Sequence, residues 1–384
     1  MQLRLLSLNV WGLPWPVSRN PDTRMRLIGA GLADLALDAV GFQEVWTASA
    51  REVLIESGRA AGLEYSWSRD RLLGSSGLLV LSRWPIRETS FTPYALGGLP
   101  QRLTHFDYYG GKGFVQCVLD LPVGEFELIT SHLQASYGRV GYADEYLGHR
   151  VAQMIELALA VATSERPLAV LGDLNARPHR DEMSLLLGAT GLTDVAVAIG
   201  RDVPTLLPYS PYGPDEAPPG KRIDYTLARS GTQLGIRPVE AMRTFDTEFP
   251  LGGKRATFSD HTGVLAELDL DGPGRPLPAP ASHALQRARR ALKHGRRLAK
   301  RRRNEQRVGA AGTALLAAGS ATTAYYTRRE WLRRAGFALA GLSLVPAAGW
   351  VGLAEGFTPH ELAAYRRVEA KLDALEQLST ERSS

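Results

Sequence analysis

Eight short apolar runs within the first 271 residues restrict the fold of this 384-residue chain more than any other feature. Each run is bounded by Gly, Pro, Asn, Asp or Ser, the pattern typical of buried β-strands. Residues 23–35 and 145–164 have the apolar spacing of helices. Strands and helices do not alternate regularly, so the pattern favours an α/β sandwich of two sheets over a doubly wound sheet. The predicted strands are residues 3–10, 38–45, 76–82, 114–121, 126–133, 168–175, 223–229 and 263–270.

A segment rich in proline and glycine, residues 271–282, follows the last predicted strand and indicates a domain boundary. We therefore divide the chain into four parts. They are a principal domain (1–271), a linker that is first Pro/Gly-rich and then Arg-rich (272–307), a pair of apolar helices (308–354) and an amphipathic helix (355–384).

Two uncharged stretches, 308–326 and 335–354, have 19 and 20 residues, enough to cross roughly 30 Å of hydrocarbon. They are rich in Ala and Gly, which contribute little insertion energy but allow two helices to pack closely in lipid. We predict a helical membrane hairpin. A soluble hairpin packed on the principal domain and a shallow hairpin that does not cross the bilayer stay open, because the loop between the helices carries a net charge of +3.

Charge is distributed unevenly along the chain. Residues 1–274 have a net charge of −7, whereas residues 275–334 have a net charge of +14, and eleven Lys or Arg lie within 287–307. An acidic principal domain is a poor match for nucleic acid, so we expect no nucleic-acid partner. The basic segment predicts contact with an anionic membrane surface and keeps the principal domain on the cytoplasmic side. Oligomeric state cannot be deduced from these features.

Polar residues interrupt the predicted strands at six places. Carboxylates, amides and imidazoles without a cysteine cluster suit a hard cation such as Mg²⁺ better than structural zinc. Each residue alone could equally be a turn residue or a satisfied core residue, but six interruptions in one domain favour a common site. The residues are Asn9, Glu44, His132, Asp173 with Asn175, Asp224, and Asp260 with His261.

The string LGDLN, residues 171–175, places Asp173 and Asn175 two residues apart, on the same side of an extended chain. An acceptor and an amide donor side by side could hold a water and a phosphoryl oxygen together. The alternative is an Asx-turn at a strand end. Asp224 begins one predicted strand, and His261 directly precedes another. A histidine oriented by a separate carboxylate is typical of a general base.

Six strings, SLNVWG, GFQEVW, SHLQASY, GDLNARP, RIDY and SDH, resemble in this order the endonuclease/exonuclease/phosphatase superfamily over nearly all of residues 1–271. Residues 131–153 and YYGGKGF (108–114) are similar to segments of the membrane-bound neutral sphingomyelinases. The resemblance implies a DNase-I-like two-layer β-sandwich flanked by helices. It also implies Mg²⁺-dependent hydrolysis of sphingomyelin to ceramide and phosphocholine, with Mn²⁺ able to replace Mg²⁺.

The resemblance further implies that Glu44 is the principal Mg²⁺ ligand, with Asn9 beside it and Asp260 completing the polar floor near the metal. Lys112 is placed less firmly, because it could contact lipid phosphate or flank a strand as a solvated charge.

In the same way the resemblance places His132 on a non-bridging phosphoryl oxygen. Asp173 and Asn175 position the phosphate together with a second ion or the attacking water. His261 deprotonates that water, and Asp224 orients the imidazole.

Three functions stay open at this point. The first is a membrane-attached phospholipase C acting on sphingomyelin, or a phosphodiesterase of the same superfamily acting on another phospholipid, such as a lyso-lipid or a phosphoinositide. An endonuclease is disfavoured by the negative charge of residues 1–274. A membrane scaffold without activity is disfavoured by the presence of every motif residue.

Overall fold

The computed structural model describes residues 1–69, 76–102, 105, 107–137, 141–201, 203–207, 211–212 and 220–384. The strands are β1 (Gln2–Asn9), β2 (Ala39–Gln43), β3 (Tyr65–Ser68), β4 (Leu79–Ser82), β5 (Ile86–Pro93), β6 (Gly113–Leu121), β7 (Gly124–His132), β8 (Leu168–Asp173), β9 (Thr193–Asp194), β10 (Asp224–Arg229), β11 (Leu234–Thr244), β12 (Phe249–Leu251), β13 (Lys254–Ala256) and β14 (Gly263–Pro273). The helices are α1 (Pro21–Gly31), α2 (Ala48–Ala60), α3 (Asp107–Gly110), α4 (Leu147–Thr163), α5 (Asp181–Thr190), α6 (Val195–Ala198), α7 (Ser282–Tyr326), α8 (Glu330–Val351) and α9 (Thr358–Ser383).

Two six-stranded sheets form the sandwich of the principal domain, and β12 and β13 pair as a separate two-stranded sheet. In the part of the chain that the structure describes, sheet A has the strand order β11-β14-β1-β2-β4-β3, and sheet B has the order β5-β6-β7-β8-β10-β9. Each sheet contains one parallel pair at its centre, β1 with β2 in sheet A and β7 with β8 in sheet B, and its other neighbours are antiparallel. The central strands are buried on both faces, which accounts for their nearly continuous apolar sequences.

The predicted two-layer sandwich is confirmed, and all eight apolar runs contribute strands. The two predicted helices correspond to α1 and α4. The strand pairing places functional residues in register: His132 lies opposite Asp173, and Asp173 lies opposite Asp224 on its other side. Asn9 lies at the end of β1, opposite Gln43. Sheet pairing therefore places three predicted site residues in one row across sheet B.

Helices α7 and α9 of the C-terminal tail, residues 274–384, pack on this sandwich. Segment 287–307 forms part of the 45-residue helix α7. Leu285 and Leu292 of α7 join Leu372 and Leu375 of α9 in the hydrophobic cluster that also contains much of α4. Arg302 Nη2 donates to Glu361 Oε1 of α9 at 2.5 Å. The tail therefore covers a face of α4 that would otherwise be exposed.

The second half of α7 and helix α8 form an antiparallel pair. A Cβ added at Gly336 would lie 2.7 Å from the Cβ of Ala324, and one added at Gly309 would lie 3.3 Å from the Trp350 ring. Apolar side chains of both helices are exposed, among them Leu315. Among the described residues, one helix, within Glu330–Ser383, is long and apolar enough to cross a membrane. Its location in a membrane stays a prediction.

Candidate active site

The predicted site residues meet at one edge of the sandwich. Asn9, His132 and Asp173 end their strands, and Glu44 follows β2 by one residue. Asp224 begins β10, which runs antiparallel to β8, so its first residue lies beside the last residue of β8. A cavity of about 250 Å³ opens at this edge. Its walls contain Glu44, Lys112, His132, Asp173, Asn175, Asp260 and His261, with the aromatic residues Trp11, Trp46 and Tyr137.

Asn9 connects two carboxylates at the bottom of the site. Its Nδ2 donates to Glu44 Oε1 and to Asp173 Oδ2, both at 3.1 Å, and its Oδ1 accepts from the Trp11 amide at 3.0 Å. These donors offset the repulsion expected between two carboxylates that lie close together. The buried amide therefore fixes the direction of both acidic side chains.

The backbone of Glu44 is in the left-handed region, with φ of 62°. A non-glycine residue in this region is strained and is usually held by its surroundings. The Gly12 amide donates to the Glu44 carbonyl at 2.9 Å, and a Cβ added at Gly12 would lie only 2.4 Å from that oxygen. The SLNVWG string thus needs a glycine at this position so that the backbone can support Glu44.

Lys112 and His132 form a buried pair. Lys112 Nζ lies 2.6 Å from His132 Nε2, which is also 3.4 Å from Asp173 Oδ2 and 3.8 Å from Glu44 Oε1. Lys112 is only 3% exposed, so it is not a solvated charge on a strand flank. Its contact with a lipid phosphate stays a prediction. The Lys112 ammonium has three N–H groups, so it can donate both to His132 and to an anionic oxygen in the cavity.

His261 and Asp224 form the second buried pair. His261 Nδ1 lies 2.8 Å from Asp224 Oδ2, and His261 Nε2 lies 3.9 Å from Asp173 Oδ2. A carboxylate that accepts from Nδ1–H leaves Nε2 free to accept a proton. The Asp224 amide donates to Thr205 Oγ1 at 3.3 Å, which anchors the start of β10.

The charges of this site shift several pKa values. Burial alone would lower the pKa of His261, but the carboxylates of Asp224 and Asp260 outweigh it and raise that pKa well above its usual value. Burial raises the pKa of Asp224, an effect that His261 partly offsets. For Asp173 burial acts in the same upward direction, yet the hydrogen bond from His132 and the charges of His261 and Lys112 hold its pKa below the usual range.

Asp173 combines the two interpretations of the LGDLN string. Its Oδ1 accepts from the Asn175 amide at 3.0 Å, which is an Asx-turn contact, while its Oδ2 faces the site and accepts from Asn9. Asn175 has φ of 48°, and its Nδ2 donates to the Leu133 carbonyl at 2.9 Å. The turn thus directs Asp173 and Asn175 toward the cavity.

Two supporting residues were not identified from the sequence. Arg24 of α1 is fully buried and donates to the carbonyls of Val10, Trp11 and Phe258 at 2.8–2.9 Å. Ser259 Oγ donates to the Asn9 carbonyl at 2.7 Å. Both residues join the loop after β1 to the loop before β14. Ser259 is the first residue of the SDH string, but its contact and those of Arg24 could not be assigned from the sequence, because both residues join segments that are distant along the chain.

The residues present fit a hard divalent cation. Glu44 and Asp260 line the cavity with Asp173, and carboxylate oxygens are the ligands that Mg²⁺ prefers. Asp173, Asp224 and His261 also offer ligand atoms within 4.8 Å of one another, and the buried Asp224 Oδ1 has no hydrogen-bond partner among the described residues. The short bond between Asp224 and His261 nevertheless favours their use as a pair.

A family profile and named relatives both match the part of the chain that contains this site. Residues 6–261 match the profile of the Endonuclease/Exonuclease/phosphatase family. Sphingomyelin phosphodiesterase 2 of Homo sapiens is 32% identical over 282 residues, which cover 70% of this chain and 64% of the human protein. The Rattus norvegicus protein of the same name is 33% identical over 282 residues, covering 70% and 65%. Inositol phosphosphingolipids phospholipase C of Schizosaccharomyces pombe is 35% identical over 181 residues, covering 46% and 42%. The chain thus spans less than two thirds of the length of these relatives.

Solved structures show the same fold. A Staphylococcus aureus beta toxin mutant with bound magnesium ions has a TM-score of 0.51 and 21% identity, covering 69% of this chain and 99% of the toxin chain. D. rerio TDP2 complexed with a single-strand DNA product has a TM-score of 0.54 and 18% identity, covering 70% and 99%. Both proteins are less than 25% identical to this chain, so the likeness carries information on the fold alone.

Proposed function

The chain belongs to the Endonuclease/Exonuclease/phosphatase family, and from that premise we propose that it is a Mg²⁺-dependent phospholipase C acting on a phosphosphingolipid such as sphingomyelin. Hydrolysis would release ceramide and the phosphorylated head group, phosphocholine in the case of sphingomyelin. The observation that carries this proposal is a histidine–carboxylate pair, His261 with Asp224, facing the Glu44 carboxylate in one cavity. The relatives named above act on sphingomyelin or inositol phosphosphingolipids by their names, which supports this substrate class.

His261 is the general base of this proposal. Nδ1–H donates to Asp224, so Nε2 accepts the proton of the water that attacks phosphorus. Asp224 sets the tautomer and stabilises the imidazolium that forms. Asp173, 3.9 Å from Nε2, faces the same water.

His132, Lys112 and Asn175 act on the phosphoryl group. The buried Lys112–His132 pair stabilises the negative charge that develops on the phosphoryl oxygens. Glu44 is the principal metal ligand of this proposal, with Asn9 beside it and Asp260 near it. A Mg²⁺ ion held there would neutralise charge on the phosphate, and Mn²⁺ could replace it.

We extend the proposal to the membrane. The exposed apolar side chains of α7 and α8 form a hairpin surface that a bilayer would cover, and the basic residues of 287–307 precede it. The principal domain would then be membrane-associated and lie on the cytoplasmic side. Besides the lipid substrate, the protein would then bind the anionic surface of that membrane through the basic residues of 287–307.

The test is release of head group from sphingomyelin dispersed in non-ionic detergent, using the full chain with Mg²⁺ or with a chelator. Activity should require the cation, and His261→Ala should lose roughly 10²–10⁴-fold in kcat, the usual contribution of a general base. Arg366→Ala, on the exposed surface of α9, is the matched control and should retain wild-type activity. Hydrolysis that persists in chelator, or in His261→Ala, contradicts the proposal.

A further inference from the structure

A second cavity of about 170 Å³ adjoins the active site. Ala135, Tyr137 and Asn175 line both cavities, so the two share a wall. Asn175 belongs to the LGDLN string that faces the phosphate in the proposed function. A group attached to a phosphate in the active site would therefore reach this second cavity.

The second cavity is lined by an excess of positive charge. Arg177 and Arg180 contribute two cations to its wall, and Lys221 of the same wall has a partner of its own. Among the described residues, the side chains of Arg177 and Arg180 make no hydrogen bond or ion pair. Two arginines three residues apart repel each other when no anion lies between them. Because they have no partner among the described residues, Arg177 and Arg180 are available to an anionic ligand, which would also relieve this repulsion.

The acidic residue of the wall is already paired. Glu182 Oε1 accepts from Arg150 Nε at 3.2 Å and from Arg150 Nη2 at 3.0 Å, and Arg150 also binds Asp144 at 2.5 Å. All three side chains are buried. Glu182 therefore holds Arg150 and is poorly placed to attract a cationic ligand.

We propose that the second cavity is a head-group subsite that selects lipids whose head group carries a negative charge beyond the scissile phosphodiester. Arginine forms charge-assisted, often bidentate hydrogen bonds with phosphate and carboxylate, which suits Arg177 and Arg180 to this ligand. The inference rests on the proposed function, because that function places the phosphodiester beside Asn175.

A choline head group fits this wall poorly. Quaternary ammonium groups are recognised by several aromatic faces or by free carboxylates. Tyr137 is the aromatic residue that the structure describes in this wall, and its ring already stacks on His105 at 3.5 Å between centroids. An anionic head group is therefore the better match in charge.

The experiment measures head-group binding to the full chain by calorimetry in non-ionic detergent with Mg²⁺. The probes are phosphocholine, myo-inositol 1-phosphate and myo-inositol 1,4-bisphosphate. We expect the bisphosphate to bind at least about tenfold more tightly than the other two, as charge-assisted contacts predict. In the double variant Arg177→Gln/Arg180→Gln, this advantage should fall to less than about threefold.

The control is Arg366→Ala/Arg367→Ala, which removes the same charge from two exposed positions of α9 and should keep the advantage. Equal binding of the three probes, or an advantage that survives in the double variant, overturns the subsite. Tighter binding of inositol 1-phosphate without a further gain for the bisphosphate also overturns it, because the cavity would then recognise hydroxyl groups. Lipid hydrolysis is measured separately: a chain that binds as expected but cleaves no phosphosphingolipid contradicts the proposed function and leaves the subsite standing.

Discussion

Removal of the apolar α7–α8 hairpin alone should leave a folded and active protein, whereas removal of the whole tail, residues 274–384, should not. The first variant replaces residues 308–351 by a short Gly/Ser linker. Arg307 Nε lies 2.6 Å from Glu355 Oε1, so the two ends of the excised segment are already close. The second variant ends at Pro273. It lacks α7 and α9, which cover α4.

The magnitude follows from the side chains that the tail buries. Six large side chains of α7 and α9 are at most 1% exposed in the shared hydrophobic cluster: Leu285, Leu292, Tyr365, Val368, Leu372 and Leu375. At about 1.5–3 kcal/mol each, burial of these side chains contributes roughly 9–18 kcal/mol, an upper estimate. A whole domain is usually stable by only about 5–15 kcal/mol. Loss of this layer also exposes the apolar face of α4.

Thermal unfolding followed by circular dichroism and head-group release from detergent-dispersed lipid separate the two variants. The excised chain should unfold cooperatively within about 5 °C of the full chain and retain its activity, because the excision spares the shared cluster. The chain ending at Pro273 should aggregate or unfold without cooperativity. A soluble, cooperative and active 1–273 chain would refute this account of the tail.

Three further predictions concern the catalytic residues. Glu44→Ala should lower hydrolysis by about two orders of magnitude or more and weaken Mg²⁺ binding measured by calorimetry, because it removes the proposed ligand; unchanged Mg²⁺ affinity would count against this role. The pKa of His261 is raised, so the neutral base exists only above that pKa and kcat should fall as pH falls. Asp224→Asn removes a negative charge that raises the pKa of His261, so the acid limb of the pH–kcat profile should move to lower pH by about 1–3 units. Maximal kcat should drop less in Asp224→Asn than in His261→Ala. An unmoved limb in Asp224→Asn would argue against the pair. Lys112→Met should lower kcat by roughly tenfold or more with little change in KM, and a change confined to KM would indicate that Lys112 only binds substrate.

The fold was largely predictable because each central strand carries its own apolar pattern. Residues 3–10, for example, are buried almost throughout, as a strand at the centre of a sheet covered on both faces must be. The order of strands was not predictable, because the parallel pairing of β1 with β2 and of β7 with β8 depends on helices that pass over the sheets. Strand β11, which pairs with β14, is interrupted by Pro238 and alternates weakly, so it gave no clear apolar run.

The site was predictable where strand ends carry polar residues and less so where its geometry depends on long-range contacts. Glu44 and His261 could be identified because apolar runs stop beside them. The role of Asn9 as a bridge between two carboxylates could be identified only from the structure, since Asp173 is 164 residues away. Lys112 was ambiguous for a related reason: a lone lysine beside a strand is usually solvated, and its burial depends on a partner in the next strand, His132.

The orientation of the tail can be argued from the charges on α7. Seven of the eleven basic residues in 287–307 have acidic partners, most of them in α9 or the turn before it, as Arg289 has with Glu376. The other four are all exposed and lie on one helical face: Arg290, Lys293, Arg297 and Lys300. At 1.5 Å per residue, they precede Val308 by about 12–27 Å along the helix. Were α7 perpendicular to a membrane that begins at Val308, this face would lie farther away than the screening length of about 8 Å. An anionic surface can attract all four residues only if α7 lies along it, which also spares the four arginines at the α7–α8 turn, two in the turn and two in the first turns of α8, from crossing the bilayer.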